Sequence, residues 1–426
     1  MPFNYQRLYA VLSANTLLRI AMTASGANAI IGFYLADLAR EGHAIDSGVV
    51  GTMEAALNLA AFACAIPFGI LIDRYSPRAI LIVGAILGAL ATQLFALTGF
   101  ITIFFVSRAL EGAGNAATQP GILAHLTDST QNARHLRGKV MSWFELTLFL
   151  GIAIGNLLSG ALWNRFHTNS FAMLSIFYVL AAAVFWWGTA GEEAQKKTHL
   201  TLKQALQGTR AAAADPALRR LAMPWFMFNA VTGLWLSQFA FLLSGPERAG
   251  QWLVGLMTPQ QVAMFLFAYT IVFSIGVVIG GLAIGKVSRK LIMQWAFVAM
   301  FGSSIVFFLA NISADWSTTA RALLLPFYAL AVLIQGGFTP AALSYLADLA
   351  GDSEGRGAAM GIYSLLLSLG NIVGALMSGW LGKPYAFNGL LFGTIIFAGL
   401  GLIGLKNLSE ADVELNLHKE IQHGTN

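Results

Sequence analysis

The sequence predicts an all-α membrane protein with twelve transmembrane helices, arranged as two pseudo-symmetric six-helix halves. Three observations lead to this prediction: the composition, the spacing of the apolar runs and an internal repeat. Of the 426 residues, 57% are hydrophobic and 11% are charged, and the mean hydropathy is +0.68. A soluble domain carries about 25% charged residues, so the composition excludes a soluble globular fold. The 30 Phe and 10 Trp residues supply too much apolar surface for a disordered chain.

Twelve apolar runs are long enough to cross a bilayer, which takes about 20 residues. The runs cover residues 10–36, 48–71, 79–99, 101–126, 140–162, 171–190, 220–244, 261–284, 291–311, 321–347, 358–381 and 386–406. The fourth and tenth runs are long enough to be tilted helices. Ala24-Ser25-Gly26-Ala27 resembles a signal-peptide cleavage site, but Arg19 interrupts the apolar segment before it. We therefore interpret residues 10–36 as the first span.

The distribution of Lys and Arg predicts that both termini are cytoplasmic. In that orientation, 18 of these residues lie in inside segments and five in outside segments, while Arg19 and Arg108 lie within spans. The alternation accounts for the net charge of +5 without a nucleic-acid partner, because a DNA-binding protein gathers its basic residues on one face. Short termini and the absence of a targeting peptide favour a prokaryotic cytoplasmic (inner) membrane.

Two segments of the chain form an internal repeat. Residues 137–163 align with residues 356–382 at an offset of 219. Identical pairs of positions include Arg137 and Arg356, Gly138 and Gly357, Met141 and Met360, Gly151 and Gly370, Gly155 and Gly374, Ser159 and Ser378, and Gly160 and Gly379. The repeat predicts two halves in parallel orientation that rock around a shared central cavity, as alternating access requires.

The repeat also sets the predicted domain boundaries. The first six-helix half covers residues 1–190, and the second covers residues 220–406. Between them, residues 191–219 form the longest polar stretch between spans and are predicted to be a cytoplasmic linker. Residues 407–426 are predicted to be a cytoplasmic tail.

Over residues 10–406 the chain resembles the major facilitator superfamily of secondary transporters. After the second span, the family has a glycine, an Asp-Arg pair and further basic residues. Gly69, Asp73, Arg74 and Arg78 match this pattern, although Ser76 and Pro77 replace an expected Gly and Arg. The second copy keeps Gly281, Lys286, Arg289 and Lys290, with Gly285 where an acidic residue could stand.

The resemblance implies a cytoplasmic gate in which Asp73 pairs with cationic groups or helix ends while the inner side is closed. The predicted gating residues are Gly69, Asp73, Arg74, Arg78, Lys286 and Arg289. The alternative interpretation is that the basic residues of these loops only anchor the chain at the cytoplasmic face.

The fourth span contains the sequence from Arg108 to Asn115, which is similar to the family pattern Arg-x-x-x-Gly-x-Gly. A charged side chain at membrane depth costs on the order of 2.5–3.5 kcal/mol, so such groups face protein or a wet cavity. A carboxyl group in a low-dielectric cavity has its pKa raised towards neutrality, and it can then bind and release a proton. The predicted proton-coupling residues are Glu54, Arg108, Glu111 and Glu145. Alternatively, Arg108 and Glu111 form a structural ion pair, and the other two acids are solvated near span ends.

The polar residues of the spans predict the solute contacts. Arg19 lies between Asn15 and Thr23 on one helical stripe, where it could contact an anionic substrate or neutralise Glu54 or Glu145. The second half has almost no intramembrane charge, and its aromatic, weakly polar residues favour an amphipathic or hydrophobic solute. The predicted substrate-binding residues are Asn15, Arg19, Asn58, Asn115, Trp235, Gln238, Gln335 and Asn371.

Together these features predict a proton-coupled secondary transporter that moves a small organic solute, with efflux as in the drug:proton antiporter branch. Asn156 stands where antiporters of the family often have proline, which weakens the prediction of efflux. The alternatives are uptake or exchange of an organic anion through Arg19, and a non-transporting sensor or assembly factor with the same fold. The sequence has no Walker, Rossmann, HExxH or GxSxG motif and one cysteine, so we expect neither an enzyme nor a metal or other cofactor. The expected partners are the solute, protons and membrane lipid, and the expected state is a monomer.

Overall fold

The computed structural model describes residues 5–74, 77–97, 99–130, 134–189, 216–350 and 355–408, and within them the secondary structure is helical apart from two isolated β-bridges. The described part of the first half contains seven helices: α1 (Tyr5–Ser25), α2 (Ile30–Arg40), α3 (Ser47–Arg74), α4 (Pro77–Leu97), α5 (Ile101–Ser129), α6 (Arg134–Phe166) and α7 (Asn169–Gly188).

Among the residues that the structure describes, the second half contains eight helices, and three of them form one span together. They are α8 (Pro216–Ser244), α9 (Pro259–Ala283), α10 (Arg289–Asn311), α11 (Thr318–Ala322), α12 (Leu324–Gly336), α13 (Phe338–Ala350), α14 (Gly355–Tyr385) and α15 (Phe387–Lys406). We call the ends where α1 begins and α15 ends the terminal side. The opposite ends, where α2 ends and α3 begins, are the far side.

Eleven segments of the described residues are long and apolar enough to cross a membrane. They correspond to eleven of the twelve predicted runs. The fourth predicted run also forms a helix, α5, but it is not among the eleven segments; it carries Arg108 and Glu111 within its length. The prediction of an all-α membrane protein is confirmed.

Two predicted spans are broken. The first consists of α1 and α2, which are separated at residues 26–29, and the side chain of Asn28 in this break lies close to Gly26. The tenth consists of α11, α12 and α13. Gly26 and Asn28 lie in the first break and Gly337 lies between α12 and α13; residues of this kind interrupt a helix without changing the hydropathy that predicts the span.

The last four residues of the predicted linker are part of a helix. Helix α8 begins at Pro216, so residues 216–219 are helical. Residues 190–215 lie outside the described part of the chain. The boundaries of the two halves therefore stay a prediction.

The internal repeat makes equivalent packing contacts in the two halves. A Cβ atom at Gly155 on α6 would lie 2.8 Å from the Ile20 carbonyl oxygen on α1. At the equivalent Gly374 on α14, a Cβ atom would lie 2.0 Å from the Ala230 carbonyl oxygen on α8. Helices approach this closely in a membrane only where small residues face each other. Helix α6 therefore packs on α1 as α14 packs on α8.

A second pair of equivalent glycines lies between the halves. A Cβ atom at Gly160 would lie 2.7 Å from the Pro259 carbonyl oxygen on α9 of the second half. A Cβ atom at Gly379 would lie 2.9 Å from the Ser47 carbonyl oxygen on α3 of the first half. Gly160 and Gly379 are both near the far-side ends of their helices. The two halves therefore touch backbone to backbone on the far side.

We predict that Gly374→Ala destabilises the protein, because the added methyl group overlaps a backbone oxygen that cannot move independently of α8. Overpacking of this kind costs about 1–3 kcal/mol, and the melting temperature of the purified protein should fall accordingly. Gly302→Ala on α10 is the matched control, since nothing lies within 4 Å of its added Cβ atom. Equal melting temperatures for the two variants would contradict the close packing of α14 on α8.

Candidate solute site and buried ion cluster

A cavity of about 300 Å³ lies between the two halves. Most of its lining comes from α8, α9, α10, α12 and α15 of the second half. The first half contributes Asn28 from the break between α1 and α2, and Phe149 and Ile152 from α6. The second half contributes Phe228, Val231, Thr232, Trp235, Leu236, Phe239, Phe265, Leu266, Tyr269, Thr270, Phe273, Met300, Ser303, Phe307, Tyr328, Gln335 and Thr394. None of the described lining residues is charged, and this part of the lining is apolar, aromatic and neutral.

The hydrogen bonds of the lining residues determine which polar atoms remain for a ligand. Trp235 Nε1 donates to Thr394 Oγ1 at 2.8 Å, so Trp235 offers its ring face. Gln335 Nε2 donates to the Ala299 carbonyl oxygen at 3.2 Å and to Ser303 Oγ at 3.0 Å. Because a backbone carbonyl only accepts, the first bond fixes the amide orientation. Gln335 Oε1 is therefore left as a hydrogen-bond acceptor.

A cluster of three charged side chains is buried in the first half. Arg108 on α5 donates to Glu54 on α3 and, at 2.5 Å, to Glu111 one turn along its own helix. The side chains of Arg108, Glu54 and Glu111 are 2%, 12% and 4% exposed. One arginine faces two carboxylates, so the cluster carries one net negative charge when both acids are ionised and none when one of them holds a proton.

The close approach of α3 and α5 makes this cluster possible. A Cβ atom at Gly112 would lie 2.1 Å from the Leu57 carbonyl oxygen on α3, so only glycine lets the two helices touch at this level. Gly112 lies one turn from Arg108 and next to Glu111, and the contact holds both at the distance that Glu54 requires. The first glycine of the Arg-x-x-x-Gly-x-Gly pattern, Gly112, is thus required for the close packing of α3 and α5.

Two residues that the sequence analysis did not predict surround the cluster. Tyr178 on α7 is 1% exposed, and its hydroxyl interacts electrostatically with Glu111, Arg108 and Arg19. Ser25, at the end of α1, is fully buried beside Glu111 and Tyr178, and its hydroxyl donates to the Met22 carbonyl oxygen at 3.3 Å. A lone serine or tyrosine in an apolar run gives no signal in sequence, because both residues occur throughout membrane helices.

Arg19 and Glu145 form a second polar region, between α1 and α6. The Cβ atom of Arg19 packs against Gly151, and Glu145 is the acid that acts on Arg19 most strongly. Within the described part of the chain, no carboxylate lies within 4 Å of Arg19. Glu145 is exposed and shares a helical stripe with the cavity residues Phe149 and Ile152. This stripe places Glu145 on the terminal side of the cavity.

Of the predicted substrate-binding residues, Trp235 and Gln335 line the cavity and the others do not. Asn15 is buried and donates to Thr147 on α6 at 3.0 Å. Asn58 donates to the Glu54 carbonyl oxygen, and Gln238 donates to the Ser47 carbonyl oxygen. The remaining three, Arg19, Asn115 and Asn371, lie on α1, α5 and α14 outside the cavity lining. The signal of a polar residue in a span does not separate cavity-lining from helix-packing positions.

The predicted gating residues lie in the terminal-side connections or beside them. The side chains of Asp73 and Arg74 lie outside the described residues. Arg78 stacks over the ring of Trp186 on α7, with its guanidinium carbon 3.8 Å from the ring centroid. Of the other three, Lys286 is exposed, Arg289 begins α10, and Gly69 has nothing within 4 Å of an added Cβ atom.

On the far side, polar contacts join the two halves. Gln238 donates to the Ser47 carbonyl oxygen at 2.7 Å, and Lys383 Nζ lies 3.0 Å from Asp46 Oδ2. Arg40 donates to the carbonyl oxygen of Ser244. Near the middle of the helices, Asn156 donates to Thr270 at 3.0 Å. The halves are therefore joined from the far side to the cavity.

The burial of α3 decreases from its far-side end towards the terminal side. Val50, Met53, Ala55 and Leu57 on the far-side part are buried. From residue 59 to residue 71 none is buried. The far-side part of α3 therefore packs between the halves, whereas its terminal-side part is open to its surroundings.

The fold and the site together define a membrane transporter: two repeated halves, joined on one side, enclose a central cavity. A family model described as Major Facilitator Superfamily matches residues 17–257 and 249–420, and the chain belongs to this family. The predicted fold, with two six-helix halves, is confirmed.

Known proteins are similar to the chain at low identity. Multidrug resistance protein 2 of Bacillus subtilis (strain 168) is 24% identical over 339 residues, which cover 78% of this chain and 79% of that protein. The inner membrane transport protein YajR of Escherichia coli (strain K12) is 24% identical over 365 residues, covering 84% and 74%. A crystal structure of a mutant of the peptide transporter POT in complex with alafosfalin aligns with a TM-score of 0.73 at 16% identity, covering 94% and 93%.

We predict that Arg108→Gln strongly destabilises the protein, because it leaves Glu54 and Glu111 buried without a counter-charge. Breaking a buried ion pair by removing one partner costs about 3–5 kcal/mol. The triple variant with Glu54→Gln and Glu111→Gln in addition should recover much of the lost melting temperature, since it removes the unpaired charges. A triple variant as unstable as Arg108→Gln alone would show that the loss does not come from the two carboxylates.

We predict that acid weakens the far-side contact through Asp46. Partial burial acts to raise the pKa of Asp46, but hydrogen bonds from Lys383 and from the Val49 N–H outweigh it and hold this pKa below its ordinary value. The ionised form therefore stabilises the contact above the ordinary aspartate pKa of about 3.9, and this stabilisation is lost as the pH falls through the lower pKa of the closed state.

The change is measured as the distance between two spin labels, one on each half. The labels are attached at Glu41→Cys and Glu247→Cys in a Cys64→Ser background. A longer-distance population should grow when the pH falls from about 5 to below 3.9. With Asp46→Asn that population should be present at both pH values, while the exposed-acid control Asp315→Asn should behave like the parent. A distance distribution that does not change with pH in the protein with Asp46 intact would contradict the role of Asp46.

Proposed function

We propose that the protein is a proton-coupled secondary transporter that exports a small hydrophobic or amphipathic organic solute across a bacterial cytoplasmic membrane. The observation that carries this proposal is the separation of two sites. A neutral aromatic cavity lies mainly in the second half, and a buried group of titratable side chains lies in the first half. Such a division lets one half bind the solute while the other binds and releases the proton.

The ion cluster supports the proton step. Glu54, Arg108 and Glu111 carry a net charge that changes by one when a single proton binds, and burial makes that charge costly to keep. A proton taken up from the far side would neutralise the cluster. Release to the terminal side would restore the charge. Glu145, which is exposed on the terminal side of the cavity, provides a carboxylate along the proposed path of proton release.

The direction of export is proposed from the similar proteins, and the conformation is one in which a solute can reach the cavity from the terminal side. With cytoplasmic termini, as the positive charges predict, the terminal side faces the cytoplasm. The halves are joined on the far side, so a solute would enter the cavity from the cytoplasm. The similar proteins named for multidrug resistance and for the inner membrane fit this direction and this location. A membrane of this kind also supplies the proton gradient.

A second candidate function is uptake or exchange of an organic anion. It is favoured by Arg19, which lies within a span and has no carboxylate within 4 Å among the described residues. An anionic group would complete its electrostatic environment. This function would depend on Arg19 and would be independent of Glu54.

Transport by the purified protein in proteoliposomes tests the proposal. A proton gradient should drive accumulation of a fluorescent hydrophobic solute. Glu54→Gln and Glu111→Gln should each lower the gradient-driven rate at least about tenfold, which corresponds to ~1.4 kcal/mol in the barrier. Solute exchange without a gradient should be kept. The exposed far-side variant Glu247→Gln is the matched control.

Two results would contradict the proposal. The first is transport that requires an anionic solute and is abolished by Arg19→Ala but not by Glu54→Gln or Glu145→Gln, which would establish the anion function. The second is full biological function without any transport after Asp73 and Glu111 are both neutralised, which would indicate a sensor or assembly factor.

A further inference from the structure

The charge of the cavity restricts the solute more sharply than its apolar character does. Within the described part of the chain, its twenty lining residues include no Asp, Glu, Lys, Arg or His. Outside the lining, Arg108 is paired with Glu54 and Glu111 in the buried cluster, and Arg19, whose Cβ atom packs against Gly151, is not among the lining residues. An ionic solute in the cavity would lose its hydration without gaining a counter-ion, and a buried unpaired charge is far more costly than a buried neutral group.

The aromatic lining does not remove this restriction. Cation–π contacts with the rings could compensate only part of the lost hydration of a cation, and they would repel an anion. Glu145 lies on the terminal side of the cavity, one helical turn from Phe149, and is exposed. It could meet a cation at the entrance without accompanying it into the cavity. The neutral form of a solute is therefore the form that the cavity accommodates.

The rings favour a flat solute. Trp235 and Phe307 stack with their centroids 5.2 Å apart and an angle of 25° between their planes. Phe265 and Tyr328, with centroids 5.5 Å apart, continue the same wall, and Tyr328 contacts Phe307 at 4.7 Å. Since Trp235 Nε1 is already bonded to Thr394, what the tryptophan offers is its face. Stacked and edge-on ring contacts are the geometry that such a wall supports.

The amide oxygen of Gln335 gives the solute a polar partner on the cavity wall. The amide nitrogen of Gln335 is held by Ala299 and Ser303, so the amide oxygen remains to accept a hydrogen bond. A solute with an N–H or O–H group satisfies this oxygen. A solute with only acceptors leaves it unpaired once water has been expelled.

We propose that the cavity selects uncharged, flat aromatic solutes that stack on the wall formed by Trp235, Phe265, Phe307 and Tyr328 and donate one hydrogen bond to Gln335 Oε1. The inference rests on the proposed function for its role in transport, but binding itself can be measured without transport. Export of a neutral solute in exchange for protons moves net charge, so a membrane potential alone should also drive it.

Four flat aromatic probes distinguish the effect of solute charge from the effect of the hydrogen-bond donor. N-phenyl-1-naphthylamine is neutral and has one N–H donor. 8-Anilino-1-naphthalenesulfonate has the same rings and N–H group with an added anionic group, ethidium is a flat aromatic cation, and N-methyl-N-phenyl-1-naphthylamine lacks the donor. Binding to the full-length protein in lipid nanodiscs is measured by equilibrium dialysis, with empty nanodiscs subtracted.

The neutral donor should bind at least about tenfold more tightly than either ion. Gln335→Leu should weaken its binding roughly two- to tenfold, the effect of one hydrogen bond, and should leave the N-methyl probe unchanged. Trp235→Ala should weaken both neutral probes, whereas the matched control Trp295→Ala, at an exposed position on α10, should weaken neither. Melting temperatures establish that each variant is folded.

Three results would overturn the inference: equal or tighter binding of ethidium or the sulfonate, an equal effect of Gln335→Leu on the two neutral probes, or no binding above empty nanodiscs. Proteoliposomes loaded with the neutral probe distinguish this inference from the proposed function. If the probe binds as expected but neither a proton gradient nor a membrane potential moves it, the proposed function fails and the selectivity of the cavity stands.

Discussion

Helix α3 has to satisfy two partners within one turn, and the rest of the structure depends on this constraint. At Gly51 it touches the second half, where an added Cβ atom would lie 2.4 Å from the Ala375 carbonyl oxygen on α14. Three residues later Glu54 binds Arg108 inside the first half. The contact between the halves and the charged cluster are therefore fixed by the same rigid segment.

This arrangement explains how a proton could act on a distant solute. In the proposed cycle, a proton on Glu54 removes its negative charge, so the ion pair with Arg108 becomes a weaker hydrogen bond between a cation and a neutral carboxyl group. The position of α3 is then determined more by its contacts with α14 than by its bond to Arg108. In the proposed cycle these contacts change when the two halves separate on the far side. A shift in the cluster and a shift between the halves are thus two consequences of one helix movement.

The sequence predicts much of the fold and little of the site, for physical reasons. Apolar runs and the alternation of positive charge report on the bilayer, and the repeated glycines at 155 and 374 mark backbone contacts that sequence alone can pair. The breaks near Asn28 and Gly337 escape prediction because they leave hydropathy unchanged. Polar residues in spans are ambiguous: Gln335 lines the cavity, whereas Asn15 and Gln238 bind neighbouring helices.

The separation of the two sites follows from the same electrostatics. A charged group in the solute cavity would have to be desolvated in every cycle as the solute entered, whereas the cluster around Arg108 keeps its charges paired whether or not the cavity is filled. A neutral cavity can then change its solute without changing the ionisation of the cluster directly. Coupling must pass through helix positions, and α3, which touches both the cluster and α14, is a helix built to transmit it.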